Sequence, residues 1–106
     1  MLSMFYITVG SQEEAEKLAT NLVNDRLVAC VNVIPKIKSF FYWEGEAQSE
    51  EEVLLMGKTR RELTDDLVAA VNKYHSYDVP CVITWVLDGG NPEFLDWVKE
   101  ETGGEK

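Results

Sequence analysis

The stretch LVACVNVIPKIKSFFYWEGEAQSEEEVLLMGK, residues 27–58, decides the fold. Leu27 to Trp43 is rich in Val, Ile, Phe and Tyr and is interrupted only by Pro35, which a sheet tolerates at a bulge or an edge. Glu44-Gly45-Glu46 supplies a turn, and Glu50 to Lys58 returns as a second strand. Both arms exceed the roughly 5 to 6 residues of an ordinary strand, so the hairpin overhangs the domain that carries it.

Before the hairpin, Met4 to Val9 is a β-rich run that stops at Gly10. Ser11 with Glu14 forms a capping box, and Ala15, Leu18, Ala19, Leu22 and Val23 then recur at helical spacing from a start at Gln12. After the hairpin, Thr59 with Glu62 reads as a second capping box. It leads into a helix with the stripe Leu63, Leu67, Ala70, Val71 and Tyr74, ending near Lys73. Pro80 opens the strand Cys81 to Leu87, apolar on both alternating faces and therefore expected to be covered on both sides. Asn91 caps a last helix with Pro92 in its first position and Phe94, Leu95 and Val98 along it, before a tail from Thr102 to Lys106 that is expected to fray.

The element order is βαββαβ plus a terminal helix: an α+β, ferredoxin-like antiparallel sheet over residues 1–106 as a single domain. Helices on one face would leave the other face apolar and in water. A homo-oligomer is expected to cover it, with the hairpin reaching a neighbour's sheet edge.

Composition excludes several classes. At 106 residues with 45% apolar content the chain suits one folded domain, and no apolar run approaches the ~18 residues of a membrane helix. A formal charge of -9 repels nucleic acid and anionic lipid. Two cysteines, Cys30 and Cys81, without CxxC spacing, read as reduced thiols. The N-terminal residues lack a basic region and a long apolar run, so no signal peptide is expected and the location is read as cytoplasmic.

Ala29-Cys30-Val31-Asn32, Tyr42-Trp43-Glu44-Gly45, Lys58-Thr59, His75-Ser76-Tyr77-Asp78-Val79-Pro80 and Phe94-Leu95-Asp96-Trp97 together resemble the CutA family of divalent-cation tolerance proteins. The resemblance runs from the first strand through the last helix. It implies a homotrimer of ferredoxin-like subunits, similar in architecture to the PII signalling proteins and linked to tolerance of copper and other divalent metals, with no catalytic reaction. Ligand sites implied by the resemblance lie at clefts between subunits, near Cys30, Lys58, His75 and Tyr77. Family members frequently carry Glu after the motif's proline. This chain has Cys81 there, and a thiolate suits Cu(I) better.

The metal candidates are thus Cys30, His75 and Cys81, with copper or another divalent metal as the ion and none required for folding. The ordinary alternative makes Cys30 a small buried strand residue and His75 a hydrogen-bonded loop residue. Lys58 and Tyr77 are the candidates for a small anionic ligand in a PII-like signalling or scaffolding trimer. Tyr42 and Trp43, beside an exposed turn, are candidates for the trimer interface, where aromatic anchors concentrate binding energy. In Glu50-Glu51-Glu52 alternation sends Glu51 away from the other two, and the run reads as a solvated strand edge. No orienting group or oxyanion hole accompanies a Cys30–His75 pair. The glycine- and arginine-bearing loop of acylphosphatases and the aromatic-basic strand of RNA-recognition domains are also missing, so an enzyme is not expected.

Overall fold

The computed structural model describes residues 1–103. Its elements are β1 (Leu2–Val9), α1 (Gln12–Asn24), β2 (Cys30–Trp43), β3 (Glu46–Arg60), a 3-10 turn (Arg61–Leu63), α2 (Thr64–Tyr74), β4 (Val82–Val86) and α3 (Pro92–Glu101). The strands form one sheet in the order β2-β3-β1-β4, and every pairing is antiparallel. This is the ferredoxin-like arrangement expected from the element order.

Strand alternation divides the sheet into two faces. Phe5, Ile7 and Val9 of β1, with Val53 and Leu55 opposite them on β3, point to one face and are buried against Ala15, Leu18 and Leu22 of α1 and Leu67 and Val71 of α2. The Ser11 hydroxyl caps α1 by accepting from the Glu14 amide at 3.1 Å. The other face carries Met4, Tyr6, Leu54, Met56, Ile83 and Trp85, and no helix covers its centre. Ile34, Ile83 and Trp85 on this face are 41%, 54% and 43% exposed. Only α3 reaches one end of it, where the Arg60 guanidinium donates to the Thr102 hydroxyl at 3.1 Å and to its carbonyl at 2.7 Å.

The hairpin continues past the end of β1, whose last partner is Val53. Residues 46–52 of β3 pair with β2 on one side only, so about 23 Å of strand edge is left open at ~3.3 Å per residue. The chain measures 48 × 25 × 22 Å. Glu44 and Gly45 turn the hairpin with φ of 51° and 81°, a two-residue loop in which both positions are left-handed. Register shifts between Ile34 and Ile37: Pro35 and Lys36 together oppose Val53. This bulge accommodates the proline's missing N–H and reverses which β2 residues face which side.

Four expectations need correcting. Thr59 is no helix cap: it lies in β3, and its hydroxyl donates to the Leu27 carbonyl at 2.6 Å, so the chain passes through the 3-10 turn and α2 starts at Thr64. The stripe of α2 excludes Tyr74, which is 45% exposed. Strand β4 is an edge strand, uncovered on the Ile83 and Trp85 side. Thr102 does not fray, being 4% exposed and held by Arg60, while residues 104–106 lie outside the described residues.

Candidate functional site

Where the hairpin leaves the sheet, the connection from α2 to β4 rises beside it and encloses a cleft of about 430 Å³. The bulge sets the hairpin's contribution. Beyond Pro35 and Lys36 the odd residues of β2 share a face with Glu52 and Glu50, so Phe41 and Trp43 join Gln48, Glu50 and Glu52 on the cleft wall. Tyr42 turns to the opposite side, which separates it from Trp43 although the two are adjacent in sequence. Tyr77, Asp78, Val79 and Cys81 form the facing wall, and Thr8 of β1 joins the lining. Three carboxylates, a phenol and a thiol line the cleft, and no Lys or Arg among the described residues does.

The facing wall is fixed by an internal network. At the end of α2, His75 is buried, and its Nε2–H donates to the Thr8 carbonyl at 2.7 Å, just past the last β1–β4 pair at Ile7 and Val82. Its Nδ1 accepts the Tyr77 amide at 3.0 Å, which assigns the neutral Nε2–H tautomer. Glu14 accepts both the amide of Ser76 at 3.0 Å and its hydroxyl at 2.8 Å. The Tyr77 hydroxyl donates to Glu52 Oε2 at 2.8 Å, and its ring lies over Gly10, where a Cβ would come within 3.2 Å of the phenol oxygen. Burial first, then the hydrogen bond to Glu52 and the charges of Glu52, Glu50 and Glu14, push the Tyr77 hydroxyl above the ordinary phenol range.

Of the residues singled out in the sequence, Tyr77 and Cys81 line the cleft, and His75 supports its wall with both ring nitrogens engaged. Cys30 and Lys58 are elsewhere: they pair with each other across β2 and β3 at the level of Met4, four residues or ~13 Å along β1 from Thr8. The Lys58 ammonium donates to Asn32 Oδ1 at 3.2 Å and lies 5.9 Å from the centre of the Phe94 ring. Glu52 is not on a solvated edge, since it is 7% exposed and holds the phenol, whereas Glu50 is exposed. Alternation alone already placed Glu50 and Glu52 together; what it lacked was the loop that faces them. No three His, Cys, Asp or Glu side chains among the described residues converge as a metal site within one chain.

A four-stranded antiparallel sheet with two helices on one face, a long overhanging hairpin and an acidic cleft at the hairpin's root defines a ferredoxin-like α+β protein with a hairpin-borne acidic cleft. The family model for the CutA1 divalent ion tolerance protein matches residues 3–101, and the chain belongs to that family. Protein CutA, chloroplastic, of Arabidopsis thaliana is 45% identical over 97 residues, covering 92% of this chain and 53% of its own length. The solved structure of the periplasmic divalent cation tolerance protein CutA from Archaeoglobus fulgidus aligns with a TM-score of 0.93 at 42% identity, covering 96% of this chain and 99% of that one. The divalent cation tolerance protein from Thermus thermophilus aligns with a TM-score of 0.94 at 40% identity, covering 97% of this chain and 100% of that one. This chain spans about half the length of the plant relatives it matches. No helix among its described residues is long and apolar enough to cross a membrane.

Proposed function

We propose that this chain is a single-domain, non-enzymatic homotrimer that binds a divalent metal, copper foremost, and supports tolerance of such ions without nucleic-acid or membrane contacts. The carrying observation is the cleft of this family member: the Cys81 thiol shares it with the carboxylates of Glu50 and Asp78, with no basic side chain among the described residues of the lining. A thiolate favours soft Cu(I), and the carboxylates serve harder cations. Because the described residues of one chain close no metal site, a second chain completes the ligand set on this reading. His75, whose two nitrogens are used internally, holds the wall of the site rather than a place among the ligands.

The open sheet face and the hairpin support the trimer. Ile83 and Trp85 are large apolar groups in water, and the free β3 edge offers backbone donors and acceptors to a neighbouring strand. Tyr42 and Trp43, 73% and 51% exposed on opposite sides of the hairpin, give it an aromatic anchor on each side. Two unpaired cysteines, one of them exposed, favour a reducing compartment such as the cytoplasm. The PII-like anionic-ligand reading is weaker: Lys58 is tied to Asn32, and the cleft that holds Tyr77 is acidic.

Calorimetric titration tests the proposal, with Cu(I) under anaerobic reduction and Cu(II) separately. Wild type is expected to bind saturably, and Cys81→Ala and Glu50→Gln are expected to weaken that binding by more than about tenfold. Absence of specific binding, or binding indifferent to both substitutions, overturns it.

A further inference from the structure

The cleft at the hairpin's root sets uncompensated carboxylates beside aromatic rings. Glu52 is 7% exposed, and the group that holds its Oε2 at 2.8 Å is the Tyr77 hydroxyl, a neutral donor. Among the described residues no Lys, Arg or His forms an ion pair with Glu52, nor with Glu50 or Asp78 on the same lining. Lys36 lines a neighbouring hollow that shares Glu52, without pairing to it. A carboxylate taken out of water is ordinarily paired, because burial costs its hydration and an opposite charge offsets that loss. The other walls are of a different kind: Phe41 and Trp43, 37% and 51% exposed, come from the hairpin, and Tyr77 faces them. Aromatic faces carry negative potential and attract cations, Trp most strongly. A metal ion has no use for such rings and sits about 2.0–2.6 Å from its ligands. The cleft encloses about 430 Å³, a volume that takes a whole small molecule.

We propose that this cleft binds an organic cation: a protonated amine with an apolar or aromatic body, its ammonium against the carboxylates of Glu52, Glu50 and Asp78 and its body against Trp43 and Phe41. The ammonium supplies the positive charge that the described lining lacks, and its N–H groups donate to carboxylate oxygens that only accept. The rings remove the ligand's body from water while their faces add attraction for its charge. The same three carboxylates repel phosphates and other anions. This goes beyond the metal reading: the amine occupies the same cleft but needs neither the Cys81 thiol nor a second chain, and its binding stands on charge and rings whether or not a metal also binds.

The test is a calorimetric titration of the full chain with a chelator present to keep metal out. The probe is 2-phenylethylammonium, and 2-phenylethanol, of similar size and shape but uncharged, is the reference. The cation is expected to bind saturably and about tenfold or more tightly than the alcohol. NMR shifts should move at the Trp43 indole and the Tyr77 ring and stay fixed at Ile7 in the core. Trp43→Leu and Glu52→Gln should each weaken the cation by about fivefold or more. Trp43 is half-exposed, so Trp43→Leu keeps the fold even where Glu52→Gln disturbs the Tyr77 contact. Cys81→Ala, expected to weaken copper, should leave the ammonium affinity unchanged, so the two readings fail separately. No saturable binding of the cation, equal affinity for the alcohol, or an affinity that follows Cys81 and not Trp43 overturns the proposal.

Discussion

The strands β2 and β3 build two regions of very different character. Along residues 53–58, β3 lies between β2 and β1, and the side chains under the helices are sealed: Leu55, with Phe5 and Ile7 beside it on β1, is 0% exposed. Along residues 46–52 the same strand has one neighbouring strand among the described residues and faces a partner arm whose Phe40 is 76% exposed. On its helix-covered face the first region closes within one chain. The second carries aromatic surface that a single chain leaves in water, and the bulge at Pro35 and Lys36 marks the boundary between them. The contrast teaches that the sheet supplies stability and its extension supplies exposed aromatic surface, with the cleft built at the junction.

Substitutions on the two sides of that boundary should therefore differ in what they damage. The largest loss is expected in the sealed region: Leu67→Ala, at a 0% exposed position under the sheet, should cost about 2–5 kcal/mol in urea unfolding at fixed protein concentration. At the junction, Tyr77→Phe leaves the buried Glu52 without its phenol donor and should cost about 1–3 kcal/mol. This loss also has a pH signature. The folded phenol keeps its proton above its ordinary value of 10.0, so its contribution is complete below pH 10.0 and disappears as pH rises through the higher folded value. Tyr77→Phe should flatten that alkaline slope. On the hairpin, Phe40→Ala should change the unfolding free energy of an isolated chain by less than about 0.5 kcal/mol while weakening self-association. Equal stability losses at Leu67 and Phe40 would erase the distinction between the regions.

What the sequence disclosed follows the same boundary. Ser11 caps α1 as expected, its hydroxyl accepting the Glu14 amide within one turn of chain, but the return half of the expected capping box is replaced: the Glu14 carboxylate accepts from the amide and hydroxyl of Ser76 instead. Thr59 and Glu62 show the same spacing without forming a cap, because the Thr59 hydroxyl finds the Leu27 carbonyl, a partner that only the folded sheet brings near. The hairpin was legible from its length and composition, but its facing was not. One inserted residue at the bulge reverses which side each later β2 residue faces, so Trp43 rather than its neighbour Tyr42 joins the cleft. Glu50 and Glu52 were paired by periodicity, yet the burial of Glu52 depends on Tyr77, which arrives from 25 residues away. His75 was visible as the chain's single histidine, and its partner is a buried carbonyl that β4 leaves unpaired by stopping short of Thr8.

On this account the open sheet face and the overhanging hairpin exist to meet other copies of the chain. Sedimentation equilibrium at micromolar concentration tests that most directly, on wild type and on Trp85→Asp, which places a charge in the middle of the open face. The expected result is a mass of three chains for wild type and a shift toward single chains, with unchanged helix and strand content, for the variant. A single-chain mass for wild type would contradict it.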